Sequence, residues 1–182
     1  MIRRRLLPVI LAVMAATAPA FAAPVAPDGV LGIPWGSSKE KVKEVMSARA
    51  DVIFDHEEAG RLLWFKGGDF AGRRMMFFVG ATKDDKIYQG DVVLVQQYGS
   101  QQAQFEEIKK MLIAKYGPPN SEGHHEGEIK AAWSFRVANQ KDPTQITLFS
   151  NERRWKIGWG VTVRYSMGLA DAPPPSAPSK DL

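Results

Sequence analysis

The densest run of reactive side chains is Ser121-Glu122-Gly123-His124-His125-Glu126-Gly127-Glu128. Imidazole and carboxylate groups at such spacing are ligands for zinc or copper. Adjacent histidines in an extended segment point to opposite sides, however. The chain's third histidine, His56, stands far away beside Glu57 and Glu58 and completes no set. The stretch therefore reads as a solvated acidic loop; no metal site is expected, and no cofactor.

Acid–base chemistry has one candidate. Asp91 opens the apolar run Val92-Val93-Leu94-Val95, and a carboxylate buried there could have a shifted pKa. Asp69, Asp84 and Asp85 fall in or beside expected turns, where aspartate serves local hydrogen bonding. The chain has no GxSxG, no HExxH and no cysteine nucleophile. No catalytic residue is assigned, and the chain reads as non-enzymatic.

The segment Gly36-Ser37-Ser38-Lys39-Glu40 could cradle an anion at a helix start. It lacks the phosphate-binding GxxxxGK[ST] pattern. Ser37 and Glu40 fit a capping box that would occupy the free amides themselves. The segment is expected simply to begin a helix. Arg73, Arg74, Arg136, Arg153, Arg154 and Arg164, together with five tryptophans, could make a surface for a glycan or an acidic protein, although most of the tryptophans fall on expected core faces.

Val42, Val45 and Met46 form one apolar stripe on the first helix. A second helix is expected from Gln101 to Tyr116, with Ser100 as N-cap and Gly117-Pro118-Pro119 as its stop. Strands are expected at 62–66, 73–79 and 87–96, then at 129–137, 145–150 and 155–165, with a short extra one at 52–54. The expected fold is α+β: a tandem αβββ repeat, residues 30–98 and 99–166, giving a six-stranded, mostly antiparallel sheet with two helices on one face.

The later strands alternate apolar and polar residues, as a one-sided sheet does. The earlier ones are apolar at nearly every position, which would leave a second apolar face. The residues taken for that face, the candidate binding surface, are Leu63, Phe65, Met76, Phe78, Val92 and Leu94.

The ends of the chain speak to location. Arg3, Arg4 and Arg5, an apolar run from Leu6 to Ala18, and Ala20-Phe21-Ala22 make a secretory signal peptide, residues 1–22, cleaved near Ala22. The apolar run is shorter than the roughly 20 residues of a spanning helix. Without those three arginines, 24 basic residues become 21 against 20 acidic ones. That near-balance removes the sustained basic surface that nucleic-acid binding needs. The absence of cysteine excludes a lipoprotein anchor and disulfides. Residues 23–28 read as a linker, 29–167 as one domain, and 168–182, with Pro173, Pro174, Pro175 and Pro178, as a disordered tail.

Gly36-Ser37-Ser38 with Val42, followed by hairpin strands, resembles the exported αβ modules typified by the BamE/SmpA lipoproteins. The tandem arrangement resembles the β-lactamase inhibitor protein fold, and the GIPWG opening, the GGDFAG hairpin and the KYG-P helix end are similar to those of a broad set of exported αβ-repeat proteins. The resemblance covers most of residues 30–165 and implies a fold whose members act by binding proteins, as assembly factors or inhibitors. The expected function is accordingly a soluble periplasmic binding module for another envelope protein, monomeric or a weak homodimer. The alternatives are a carrier of a small apolar ligand, held in a cavity lined by Met75, Met76, Phe77 or Phe78, and a metal-binding or hydrolytic protein using the His124–His125 loop.

Overall fold

The computed structural model describes residues 25–81, 84–95, 100–125, 128–138, 140, 142–151 and 160–168. The segment read as a signal peptide (1–22), the expected tail from residue 169 on, Glu126, Arg153, Arg154 and the start of the last expected strand (155–159) lie outside them.

Ser100 and Gly117 bracket the longer helix, α2 (Gln101–Tyr116), as its residues dictate. The Ser100 hydroxyl accepts from Ala103 N, and Gly117, at φ 77°, donates its amide to Ile113 O. Phe105, Ile108, Leu112 and Tyr116 are buried, while Met111, one residue off the stripe, is 46% exposed. The shorter helix, α1 (Lys39–Ser47), buries Val42 and Met46. Its cap differs from expectation. Ser38, not Ser37, accepts from Lys41 N, and the Ser37 hydroxyl instead donates to Pro34 O. The helix begins one residue later because Gly36 and Ser37 are held by backbone bonds with Ile87.

The sheet has eight antiparallel strands rather than six. They are β3 (Val52–Glu58), β4 (Leu62–Phe70), β5 (Arg73–Ala81), β6 (Ile87–Val95), β7 (Ser121–His125), β8 (Glu128–Phe135), β9 (Thr144–Asn151) and β10 (Gly160–Ser166). Their order is β3-β4-β5-β6-β10-β9-β8-β7, so each half runs from an edge to the centre, where β6 and β10 pair. The two strands beyond the expected six are the edges. Of β3 only a three-residue piece is expected from sequence, and β7 is the segment read as an acidic loop. A separate two-stranded hairpin, β1 (Gly29–Val30) and β2 (Ile33–Pro34), precedes α1. It turns at Leu31-Gly32, both at positive φ, as type I′ turns require.

Register sorts the two faces. Leu63 stands opposite Val79, Phe65 opposite Phe77, Phe77 opposite Val92 and Met75 opposite Leu94. These residues form one core cluster with Val163, Leu148, Trp133 and the buried stripes of both helices. Trp133 Nε1 donates to Gly117 O at 2.8 Å, fastening the end of α2 to β8. The β1–β2 hairpin packs on the same side: a Cβ at Gly90 would lie 2.6 Å from Val30 Cγ1, so only glycine lets Val30 settle on β6.

Candidate functional site

The sheet face that neither described helix covers, the helix-free face, carries one continuous cross-strand row: His56, Trp64, Phe78, Asp91, Arg164 and Thr147, on six adjacent strands. His56 stacks on Trp64 with ring centroids 5.3 Å apart and planes 13° apart. Trp64 in turn leans on Phe78 at 4.1 Å, and its indole donates to Glu58 Oε2 at 3.1 Å. Phe78, only 3% exposed, sits between Trp64 and Asp91 in the row. The neighbouring row adds Met76, Val93, Thr162 and Phe149.

At the centre Arg164 clamps Asp91. Its Nε lies 2.9 Å from Oδ1 and 3.2 Å from Oδ2, and its Nη2 lies 2.7 Å from Oδ2. Gln89 Nε2 adds a bond to Oδ1 at 3.1 Å. Both oxygens of Asp91, 4% exposed, are therefore engaged, which makes the carboxylate an anchor for the arginine. Burial alone would lower the Arg164 pKa, but the bonds to Asp91 outweigh it and the net shift is upward. The guanidinium carbon also lies 5.4 Å from the centre of the Phe149 ring. Nearby Tyr88 has its pKa raised, chiefly by burial and also by Asp91, against the opposing pull of Arg61 and Arg164.

The six candidate apolar residues do not share this surface. Leu63, Phe65, Val92 and Leu94 lie in the core beneath the helices, and only Met76 and Phe78 point to the helix-free face. Of those two, Phe78 is buried and Met76 is half-buried. Within each strand the alternation is as read. The grouping fails at β5, where the core residues are Met75, Phe77 and Val79.

The other sequence candidates have local roles. Lys109 pairs with Glu122 from α2 to β7, and His124 is exposed on that edge strand. Among the described residues no group of three or more His, Asp or Glu side chains is placed to hold a metal ion. At the start of α1 the Lys39 amide meets Asp85 Oδ2 at 3.4 Å, so the chain's own carboxylate sits at the helix N-terminus. Lys39 Nζ also binds Glu57 Oε1 at 2.6 Å and Asp85 Oδ1 at 3.1 Å. Arg73 pairs with Glu107 of α2.

Sequence reasoning set His56 aside as completing no metal set, and missed both its stacking on Trp64 and the pairing of Arg164 with Asp91. The alternation of β10 placed Arg164 on the polar face, but its partner lies 73 residues earlier. A cleft of about 530 Å³ also exists, though not where a ligand cavity was expected. Met75 and Phe77 are close-packed in the core, and the cleft lies between the β1–β2 hairpin and the end of α2.

No protein-family model, curated protein or solved structure matches this chain. No described helix is long and apolar enough to cross a membrane.

Proposed function

We propose that the protein is a non-catalytic binding module of the bacterial periplasm that docks another envelope protein on the helix-free face of its sheet. The observation that carries this reading is the row from His56 to Arg164. It joins a half-buried tryptophan to an arginine held in one geometry by a buried carboxylate. Tryptophan and arginine on rigid, partly desolvated supports are the residues that dominate binding energy at protein interfaces. Phe78 and Phe149, both buried, back Trp64 and Arg164 from within the sheet, and side chains already held in place lose less freedom on association.

Arg164 commits Nε and Nη2 to Asp91, and its Nη1 makes no hydrogen bond among the described residues. The complementary partner surface brings an apolar side chain beside Trp64 and Met76 and an acidic or carbonyl oxygen to Arg164. Export rests on the tripartite start of the chain, with its arginines, apolar run and small-residue cleavage site. The element order, a helix followed by four strands and then again a helix followed by four strands, supports reading the two halves as a tandem repeat.

Affinity capture from envelope extracts tests the reading. Trp64→Ala is expected to weaken retention of one stoichiometric partner by about thirtyfold, the effect of an interface hot spot of about 2 kcal/mol. Capture that is unchanged by Trp64→Ala in a variant that remains folded overturns it.

A further inference from the structure

We propose that the cleft between the β1–β2 hairpin and α2 binds a single-chain amphiphile with a carboxylate head, the head pairing with Lys115. The site lies on the helix side of the sheet, opposite the proposed docking face, and does not depend on it. Its volume, about 530 Å³, falls within the range of small-molecule pockets, roughly 300–1,000 Å³.

The cleft is graded from apolar to charged. Its buried lining is Val30, Ile33, Tyr116 and Tyr165, and half-buried Leu31 and Phe70 flank these. Burial pushes the Tyr165 phenol well above its ordinary pKa, so this floor holds no anion of its own. Leu31 occupies the hairpin tip at φ 50°, a position that favours glycine or asparagine. A bulky apolar residue kept there in the left-handed region adds to the wall of the cleft.

The rim carries two charges, Lys115 and Asp28. The Lys115 ammonium lies 5.1 Å from the centre of the Tyr116 ring, which is itself part of the floor. That places the cation beside the cleft floor, and among the described residues it has no carboxylate partner. The negative end of the α2 dipole, which would disfavour an anion, is partly satisfied. Ile113 O accepts from Gly117 N, and Gly117 O accepts from Trp133 Nε1. An apolar floor beside an unpaired cation fits a hydrocarbon chain with one carboxylate, and Asp28, the other rim charge, is the group a cationic amphiphile would pair with instead.

Isothermal titration calorimetry of the full chain with decanoate, below its micellar concentration, tests this. The expected result is saturable binding of one decanoate, at least tenfold tighter than decanol or decylamine. Lys115→Gln removes that preference, bringing decanoate down to the affinity of decanol. Ala26→Trp, which fills the cleft from the N-terminal side, abolishes binding of all three. Thermal unfolding of each variant verifies that the fold is kept, and Leu31→Trp serves as a second filling variant if Ala26→Trp unfolds. The proposal is overturned if decanoate gives no saturable heat. It is equally overturned if decylamine binds as well as decanoate, or if Lys115→Gln leaves the preference intact.

Discussion

Arg164 of β10 and Asp91 of β6 face each other across the central seam of the sheet, joined through two nitrogens and both carboxylate oxygens. The seam joins the two halves of the chain, so this pair ties one half to the other on the helix-free face. Removing the guanidinium leaves Asp91 buried with only Gln89 as a side-chain partner among the described residues. Arg164→Met is expected to cost about 3–5 kcal/mol, as for other broken buried pairs. The double variant Asp91→Leu/Arg164→Met is expected to recover most of that loss, since no uncompensated charge remains. Urea unfolding of the wild type, both single variants and the double variant measures the coupling.

The hairpin over β6 can be probed at Gly90. A methyl group there meets both Val30 methyls, at 2.6 and 3.0 Å, and the Phe77 ring at 3.1 Å. Gly90→Ala is expected to destabilise by about 1–3 kcal/mol through overpacking. Combined with Val30→Ala, the total loss falls short of the sum of the two single losses, because the shorter side chain makes room. Additive losses would mean that the hairpin does not rest on Gly90.

The two serines at the start of α1 separate cleanly. Ser38→Ala removes the side chain that accepts from Lys41 N and is expected to cost about 1 kcal/mol. Ser37→Ala breaks only an exposed bond to Pro34 O and stays within about 0.5 kcal/mol. Denaturant unfolding of the two variants decides which serine is the cap.

Acid should loosen the junction of α1 with β3. Hydrogen bonds from Lys39 and Lys43 hold the Glu57 pKa below its ordinary value. At Asp85 partial desolvation is the largest single influence and acts upward, but the bonds from Lys39 outweigh it and the net shift is downward. Depressed carboxyl pKa values give stability that is complete above the unfolded-state value, about 4, and is lost as pH falls through the folded-state values below it. Lys39→Met is therefore expected to flatten the fall in melting temperature below about pH 4. An unchanged acid limb would show that the cluster contributes nothing. The effect should shrink in high salt, since these groups are only partly buried.

What could be read in advance follows the range of the interactions. α2 was legible because its cap, stripe and stop are all local. Strand interiors were legible where one face is wet, as in β8. The edge strands were not: β3 is mostly exposed and charged, with Ile53 at 69% exposure, and β7 is polar throughout. Their membership rests on backbone pairing with β4 and β8, which leaves no apolar alternation to detect. Parity along each strand was readable, but parity between strands depends on register. Shifts at Lys66/Asp69 and Gly80/Ala81 belong to the folded sheet alone. That is why Met76 and Phe78 were grouped with Leu63, Phe65, Val92 and Leu94, which lie on the opposite face. The same limit hid the partner of Asp91.

The most direct test of the docking face is site-specific photocrosslinking in living cells. A photoreactive residue replaces Lys66 or Lys130 on the helix-free face, or Lys110 or Ile113 on the outer side of α2; all four positions are exposed. The account predicts one discrete adduct with a single envelope protein from Lys66 and Lys130, none from the α2 positions, and loss of the adduct when Trp64→Ala is added. Adducts confined to α2, or sheet-face adducts that persist in the Trp64→Ala background, would contradict it.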